Sequence, residues 1–344
     1  MLDDLAKIHQ LDKEGALDIA AKEPEQLSYQ FNFQADLSGI QNVVYAAMGG
    51  SALAALLSQT WPGYCMPFEI VRNYDLPAYV SRQTLCIIAS YSGNTEETLS
   101  ALAQAESKSA RIVVIAGGGQ LADIAKEKGY PLIILPGAKQ PRYGVFYCFR
   151  ALIEIGIASG IMPADPNWQT ALQQASSFLI ELIQEIEPVR PVSANLAKQI
   201  ALDCLGKSVV IYAGPKLAPA AYKWKISFNE NAKQVAWFNV YPEFNHNEFV
   251  GWSEQPVDKP YCVIDLRSDL ELPQIRRRFE FSERLLSGRR PAPLVVNAKG
   301  HNILEQMLYC VVLGDFTSLY AAIANGLNPA PVELVEKLKL MMKD

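Results

Sequence analysis

The chain repeats one pattern of apolar and polar positions. Short continuous apolar runs, "NVVYAA" (42–47), "TLCIIAS" (84–90), "RIVVIA" (111–116) and "PLIIL" (131–135), lead into small polar loops. The first three continue into helically spaced stretches, "SALAALLSQTW", "EETLSALAQA" and "QLADIAKEKG". Unbroken Val/Ile/Leu runs of strand length indicate strands buried on both faces, and helix-length connections between them suit parallel pairing. After "GIMPADPNWQ" (160–169), whose two prolines break the pattern, a long helical stretch runs to Ile186. The strand, loop and helix order then returns with "SVVIYAGPK", "YCVIDLRSD" and "APLVVNAKG". These patterns predict an α/β protein with two doubly wound parallel-sheet domains and flanking helices. The expected organisation is an N-terminal helical segment (1–30), a first domain (31–162), a second domain (163–327) and a C-terminal helix (328–344).

Composition narrows the classes of function. Half of the 344 residues are apolar and 19% are charged, as in a globular protein. Lys and Arg total 31 against 36 Asp and Glu, a net charge of −5, which argues against a nucleic-acid partner. The dense basic clusters, Arg276–Arg278 and Arg289–Arg290, border a helical pattern containing Glu280 and Glu283 and read as a solvated face. The six cysteines have no metal-ligand spacing, and several lie in apolar runs, as expected of free thiols in a reducing compartment. The N-terminus is acidic and amphipathic, unlike a secretory leader, and no run is expected to span a membrane. The expectation is a cytoplasmic protein with neither a membrane nor a nucleic-acid partner, and needing no metal or cofactor.

Candidate chemistry lies in the loops after the strands, where open α/β sheets bind ligands. Gly49-Gly50-Ser51 and Ser90-Tyr91-Ser92-Gly93-Asn94-Thr95 both open onto helix N-termini, whose free amides favour an anion. Glycines allow close backbone approach and hydroxyls add neutral donors, a set suited to a phosphate monoester. A simpler reading competes: Asn94 with Glu97 has capping-box spacing, and Ser and Gly are common in turns. Neither loop has the nucleotide-triphosphate pattern, and no dinucleotide fingerprint follows the first strand.

"MGGSA" (48–52) and "SYSGNTEET" (90–98) resemble the loops of sugar isomerase (SIS) domains, which bind sugar phosphates. "PRYG" (141–144), "FNENAK" (228–233) and "NHNEF" (245–249) narrow the resemblance to the bifunctional phosphoglucose/phosphomannose isomerase family. It runs from about residue 40 to the C-terminus and implies two SIS-type domains. It further implies a homodimeric aldose–ketose isomerase, acting on glucose 6-phosphate and mannose 6-phosphate through a cis-enediol intermediate. Position by position, it implies phosphate contacts from Ser51, Ser90, Ser92 and Thr95, with Gly49 and Gly50 giving backbone approach. Arg142 becomes the cation beside the reacting carbons and Glu230 the base that moves a proton between C1 and C2. His246, supplied by the neighbouring subunit, and Lys337 assist ring opening.

The reaction itself asks for such groups: an acid and base to open the ring, a carboxylate beside the carbonyl, and a fixed cation for the enediolate. Asn245, Asn247 and Glu248 are placed to orient the His246 ring. Each residue also has an ordinary reading. Glu230 could pair with Lys233, Arg142 could cap a strand end, His246 could be a surface-loop histidine, and Lys337 could be a solvated lysine. His9 and His301 read as an exposed helix residue and a residue near an N-cap. Two departures stand out: "LAALLS" follows "MGGSA" where the family has smaller residues, and Ala330 stands where it often has threonine, leaving the epimer preference open. A non-catalytic sugar-phosphate sensor, or an isomerase of another phosphosugar, remain the alternative functions.

Overall fold

The computed structural model describes residues 1–138, 140–254 and 260–342, without the side chains of 339 and 340. The chain divides into two compact units, Lys22–Ser177 and Met1–Ala21 with Phe178–Asp344. Helices α1 (Leu5–Leu11) and α2 (Ala16–Ala21) belong to the second of these, and the later division falls inside α7 (Trp168–Ile186).

The Lys22–Ser177 unit contains β1 (Asn42–Ala47), α3 (Gly49–Thr60), β2 (Phe68–Val71), β3 (Thr84–Ser90), α4 (Glu96–Ser107), β4 (Arg111–Ala116), α5 (Gly119–Lys128), β5 (Leu132–Ile134) and α6 (Val145–Ala158). Its strands pair in parallel in the order β2-β1-β3-β4-β5. Alternate residues of the central strands point to opposite faces. Val44, Ala46, Cys86, Ile88, Val114 and Ala116 pack on Ala101, Leu102 and Ala105 of α4 and Leu121, Ala122 and Ala125 of α5. Val43, Tyr45, Leu85, Ile87, Val113 and Ile115 are equally buried on the other face. There the Tyr45 hydroxyl bonds Ser51 O at 3.0 Å and meets Cys148 Sγ of α6 at 3.2 Å. This two-faced burial is what made the strands read as continuous apolar runs.

The other unit continues with α8 (Leu196–Asp203), β6 (Ser208–Ala213), α9 (Ala218–Glu230), β7 (Ala236–Val240), α10 (Glu248–Gly251), β8 (Tyr261–Arg267), α11 (Pro273–Leu285), β9 (Leu294–Asn297), α12 (Ile303–Ala324) and α13 (Glu333–Met341). Its parallel sheet has the order β7-β6-β8-β9, which repeats the first four places of the other sheet. One face packs Val210, Tyr212 and Val263 on Ile275, Phe279 and Leu286.

Contrary to the expectation that no run is membrane-length, α12 is long and apolar enough to cross a bilayer, yet 94% of its apolar window is buried inside the unit. It is a core helix: Trp224 of α9 donates to Cys310 O at 2.6 Å, and Gly314 leaves room for that indole. Its buried Asp315 is matched by Lys223, a pairing invisible to hydropathy alone.

Candidate active site

In the Lys22–Ser177 unit, the strand order reverses direction between β1 and β3, so their following loops meet at the carboxyl edge of the sheet. A crevice at such a reversal is the usual ligand site of an open α/β sheet. Met48, in extended conformation, precedes α3 without a side-chain cap, and Gly49 follows at φ +50°. A Cβ on Gly50 would lie 3.4 Å from Val145 Cγ2 and 3.7 Å from Arg142 Cα, so the turn carrying Arg142 packs on this loop.

The loop after β3 gathers its hydroxyls. Ser90 Oγ lies 2.8 Å from Thr95 Oγ1, and Ser92 Oγ lies 3.4 Å from each of them. Gly93 N donates to Ser90 Oγ at 3.1 Å, and Tyr91 N donates across to Ser51 Oγ at 3.2 Å. Ser51 and Ser90 are buried while Ser92 is exposed, so the cluster opens to solvent on one side. The structure thus brings Gly49, Gly50, Ser51, Ser90, Ser92, Thr95 and the Arg142 turn into one place.

The capping-box reading of this loop does not hold. The residue preceding α4 is Thr95, and α4 has no side-chain cap. Asn94 Oδ1 instead accepts from Gln120 N at 3.0 Å, at the start of α5. Two uncapped helix N-termini therefore flank the hydroxyls, an arrangement that favours an anion.

Residues beyond the sequence candidates hold the cradle in shape. Gly93, at φ +68°, is pressed against the Gly117–Gly119 loop after β4: a Cβ there would sit 1.7 Å from Gly118 O. Leu121 N donates to Gly93 O at 2.8 Å and Gly117 N to Tyr91 O at 3.0 Å. The Tyr91 hydroxyl donates to Pro136 O at 2.7 Å, its ring packs on Gly144, and burial pushes its phenol up from the ordinary range. The only signals for these roles in the sequence are the triple glycine after "RIVVIA" and the glycine after "PRY".

Arg142 lies in a 3-10 turn, Pro141–Tyr143, and is buried, with its guanidinium 5.0 Å from the Tyr143 ring centre. Gln26 braces that turn, donating to Tyr143 O at 2.6 Å and accepting from Tyr147 N at 3.1 Å.

Glu230, His246 and Lys337 lie in the other unit on three separate elements. Glu230 is the last residue of α9 and half-buried. The inner face of α9 is locked to α12: Lys223 pairs with Asp315, Ser227 Oγ donates to Asp315 Oδ1 at 2.6 Å, and Asn231 Nδ2 donates to Ser318 Oγ at 2.9 Å. His246 ends a 3-10 turn, Glu243–His246, and is exposed. Its neighbours are engaged elsewhere. Asn245 accepts from Arg278 Nη1 at 3.0 Å and donates to Ser282 Oγ at 2.9 Å. Asn247 donates to Glu243 at 2.7 Å, while Glu248 accepts from Asn239 at 2.7 Å and from the Tyr212 hydroxyl. These three side chains hold the loop rather than the imidazole ring, correcting the expectation from their adjacency. Lys337, on α13, is exposed and lies 4.0 Å from Glu333.

The second sheet has loops in the corresponding places but different chemistry. After β8 the one hydroxyl, Ser268, is buried and donates to Gln306 Oε1 at 2.5 Å, and the loop carries Glu271, whose Oε1 accepts from Lys216 N after β6 at 2.7 Å. Gly214 gives it room, since a Cβ there would meet Glu271 Oε1 at 2.3 Å. A carboxylate of the chain itself thus takes the amide that faces the crevice in this unit.

Residues 193–342 match the family described as the bacterial phospho-glucose isomerase C-terminal SIS domain. A bifunctional phosphoglucose/phosphomannose isomerase of Caldicellulosiruptor bescii is 33% identical over 328 residues, covering 92% of this chain and 95% of the relative. A D-glucosamine-6-phosphate 4-epimerase of Sulfolobus acidocaldarius is 32% identical over 242 residues, covering 66% and 70%. Among solved structures, a glucose-6-phosphate isomerase like protein from Thermus thermophilus shares the fold, with a TM-score of 0.66 at 19% identity over 98% of each chain. The architecture is that of two SIS-type parallel-sheet domains, and the chain belongs to the bifunctional phosphoglucose/phosphomannose isomerase family.

Proposed function

We propose that this enzyme interconverts glucose 6-phosphate and mannose 6-phosphate with fructose 6-phosphate. The observation that carries the reading is the cradle of Ser51, Ser90, Ser92 and Thr95 between two uncapped helix N-termini. It offers hydroxyls and amides to a phosphate dianion and leaves Arg142 for charge that develops on the sugar carbons. Family membership supplies the reaction class.

In this reading His246 and Lys337 open the ring by moving protons between the ring oxygen and the C1 hydroxyl. Glu230 then takes the C2 proton of the open aldose and returns it to C1, while the hydroxyl proton passes from O2 to O1, leaving the carbonyl at C2. Arg142 stabilises the enediolate because a guanidinium stays charged and presents a fixed fork of donors. We assign His246 to the site of a second copy in a homodimer. Its exposure, on a loop held by Asn245, Asn247 and Glu248, supports that assignment. Five of the six thiols are buried and all are free, which supports a reducing, cytoplasmic setting.

The test is isotope exchange in D₂O. The natural enzyme with fructose 6-phosphate should place deuterium at the exchanged carbon, whereas Glu230→Gln should bind the substrate with unchanged Kd and exchange nothing. Exchange retained by Glu230→Gln overturns the assignment of the base. Binding of fructose 6-phosphate without turnover by the natural enzyme would favour a sensor. The similarity to a glucosamine-6-phosphate epimerase favours one other reading, and formation of the C4 epimer of glucosamine 6-phosphate, with no turnover of fructose 6-phosphate, would establish it.

A further inference from the structure

The motif that supplies Glu230 also contains Lys233, whose backbone and side chain are both unusual. Lys233 follows the end of α9 at φ +55°, a left-handed conformation in which a side chain is strained and glycine is the common helix-ending residue. A lysine is held here against its backbone preference, which points to its ammonium.

That ammonium meets three backbone carbonyls: Asn231 O at 3.1 Å, Asn328 O at 3.1 Å and Pro329 O at 2.8 Å. A lysine carries three protons, so each carbonyl can receive one. The first carbonyl belongs to the end of α9, and the other two to the segment that leads into α13. Without a cation between them, these carbonyl dipoles would repel and the two segments would part. The segment is itself well defined: Asn328 Nδ2 donates to Glu14 at 2.8 Å, its Oδ1 accepts from Ala330 N at 3.0 Å, and Ala330 is buried.

We propose that Lys233 is a positioning residue for the isomerase reaction, pinning the Asn328–Ala330 segment to the last turn of α9 and so fixing the direction of the Glu230 carboxylate. The inner face of that helix is secured independently by Asp315 and Ser318, so loss of the Lys233 clamp leaves the helix in place and loosens its end. The inference rests on Glu230 being the proton-transfer base.

The experiment compares Lys233→Gly and Lys233→Arg with the natural enzyme and with Glu230→Gln. Glycine relieves the left-handed backbone while deleting the ammonium, so a purely structural role predicts no kinetic loss. We expect Lys233→Gly to keep its Tm within a few degrees and its KM for fructose 6-phosphate within twofold, while kcat falls tenfold or more. Arginine, which can still reach the carbonyls, should restore kcat to within threefold. A Lys233→Gly kcat within twofold of the natural enzyme, an equal change in KM and kcat, or no recovery with arginine would overturn the proposal. Should glycine destabilise the fold, Lys233→Asn, which tolerates the same backbone, is read by the same criteria. Exchange retained in Glu230→Gln would instead defeat the underlying assignment of the base, whatever Lys233 does.

Discussion

Gly93→Ala tests whether the serine loop works only in the shape that its glycine permits. At φ +68° an alanine is in the left-handed region, which costs roughly 1–2 kcal/mol. The larger effect is steric: its Cβ would lie 1.7 Å from Gly118 O, whereas real Cβ contacts essentially never fall below 3.0 Å. Gly118 O is backbone and a Cβ is fixed rigidly to its own backbone, so the Ser90–Thr95 and Gly117–Gly119 loops must separate by more than an ångström. Separation weakens the bonds from Leu121 N to Gly93 O and from Gly93 N to Ser90 Oγ, and the hydroxyls lose their convergence. A misplacement of about 1 Å can cost about 10²-fold in rate. Steady-state assay with fructose 6-phosphate should therefore show kcat/KM reduced by about 10²-fold, mostly through KM because the role proposed for this loop is to grip the phosphate. Circular dichroism should still show a folded protein, since β3 and α4 are secured by their own cores. A kcat/KM within threefold of the natural enzyme would refute the cradle.

Ser90→Ala should raise KM about tenfold or more, the worth of a hydrogen bond to a charged group, with little change in Tm because Gly93 N also donates to Ser90 O at 3.1 Å. Arg142→Lys keeps the charge but loses the planar fork; kcat should fall by about 10²-fold with KM nearly unchanged, read from initial rates. Asp315→Ala should destabilise the fold by about 3–5 kcal/mol in urea titration, because it leaves Lys223 buried without its partner. Glu271 gives a pH-dependent prediction. Burial, the largest influence, raises its carboxyl above the ordinary 4.5, and bonds from the Lys216 and Leu272 amides only partly oppose this. Its raised value means that the folded state favours the protonated form, a contribution present below about pH 4.5 and lost as pH rises through the folded value. Glu271→Gln, neutral throughout, should gain Tm relative to the natural protein between pH 4.5 and 7, and a difference independent of pH would contradict this.

The central strands were legible because each is buried on both faces and so carries an unbroken apolar run. The edge strands β2 and β7 lack that signature: "FEIV" and "AWFNV" are only partly covered, and nothing in their local sequence separates them from loop. The candidate phosphate loops were legible because glycine and hydroxyl residues cluster between strand and helix. Their support was not, since Gly93 against Gly118 and Tyr91 against Gly144 are contacts between segments distant in sequence. Adjacency misled at His246, where Asn245, Asn247 and Glu248 bond to Arg278, Glu243 and Asn239. It misled also at Asn94, which serves α5 rather than α4.

The two sheets explain how one architecture carries two tasks. Both place a glycine-containing loop beside a second loop where the strand order reverses, and parallel pairing imposes that geometry whatever the loop sequence. What differs is who supplies the negative charge. In the Lys22–Ser177 unit the loop after β3 offers hydroxyls and leaves α3 and α4 without side-chain caps, and the first turn of α3 carries no acidic residue, while that of α4 carries Glu96 and Glu97. In the other unit Glu271 reaches the Lys216 amide, and the place is filled from within. A fold that has satisfied its own crevice gains nothing from a phosphate there, and the residues proposed as base and ring opener lie at other edges, Glu230 at the end of α9 and His246 on the loop after β7. Sugar-phosphate titration should accordingly saturate at one equivalent per chain, and a second equivalent of comparable affinity would show that Glu271 does not close the second crevice.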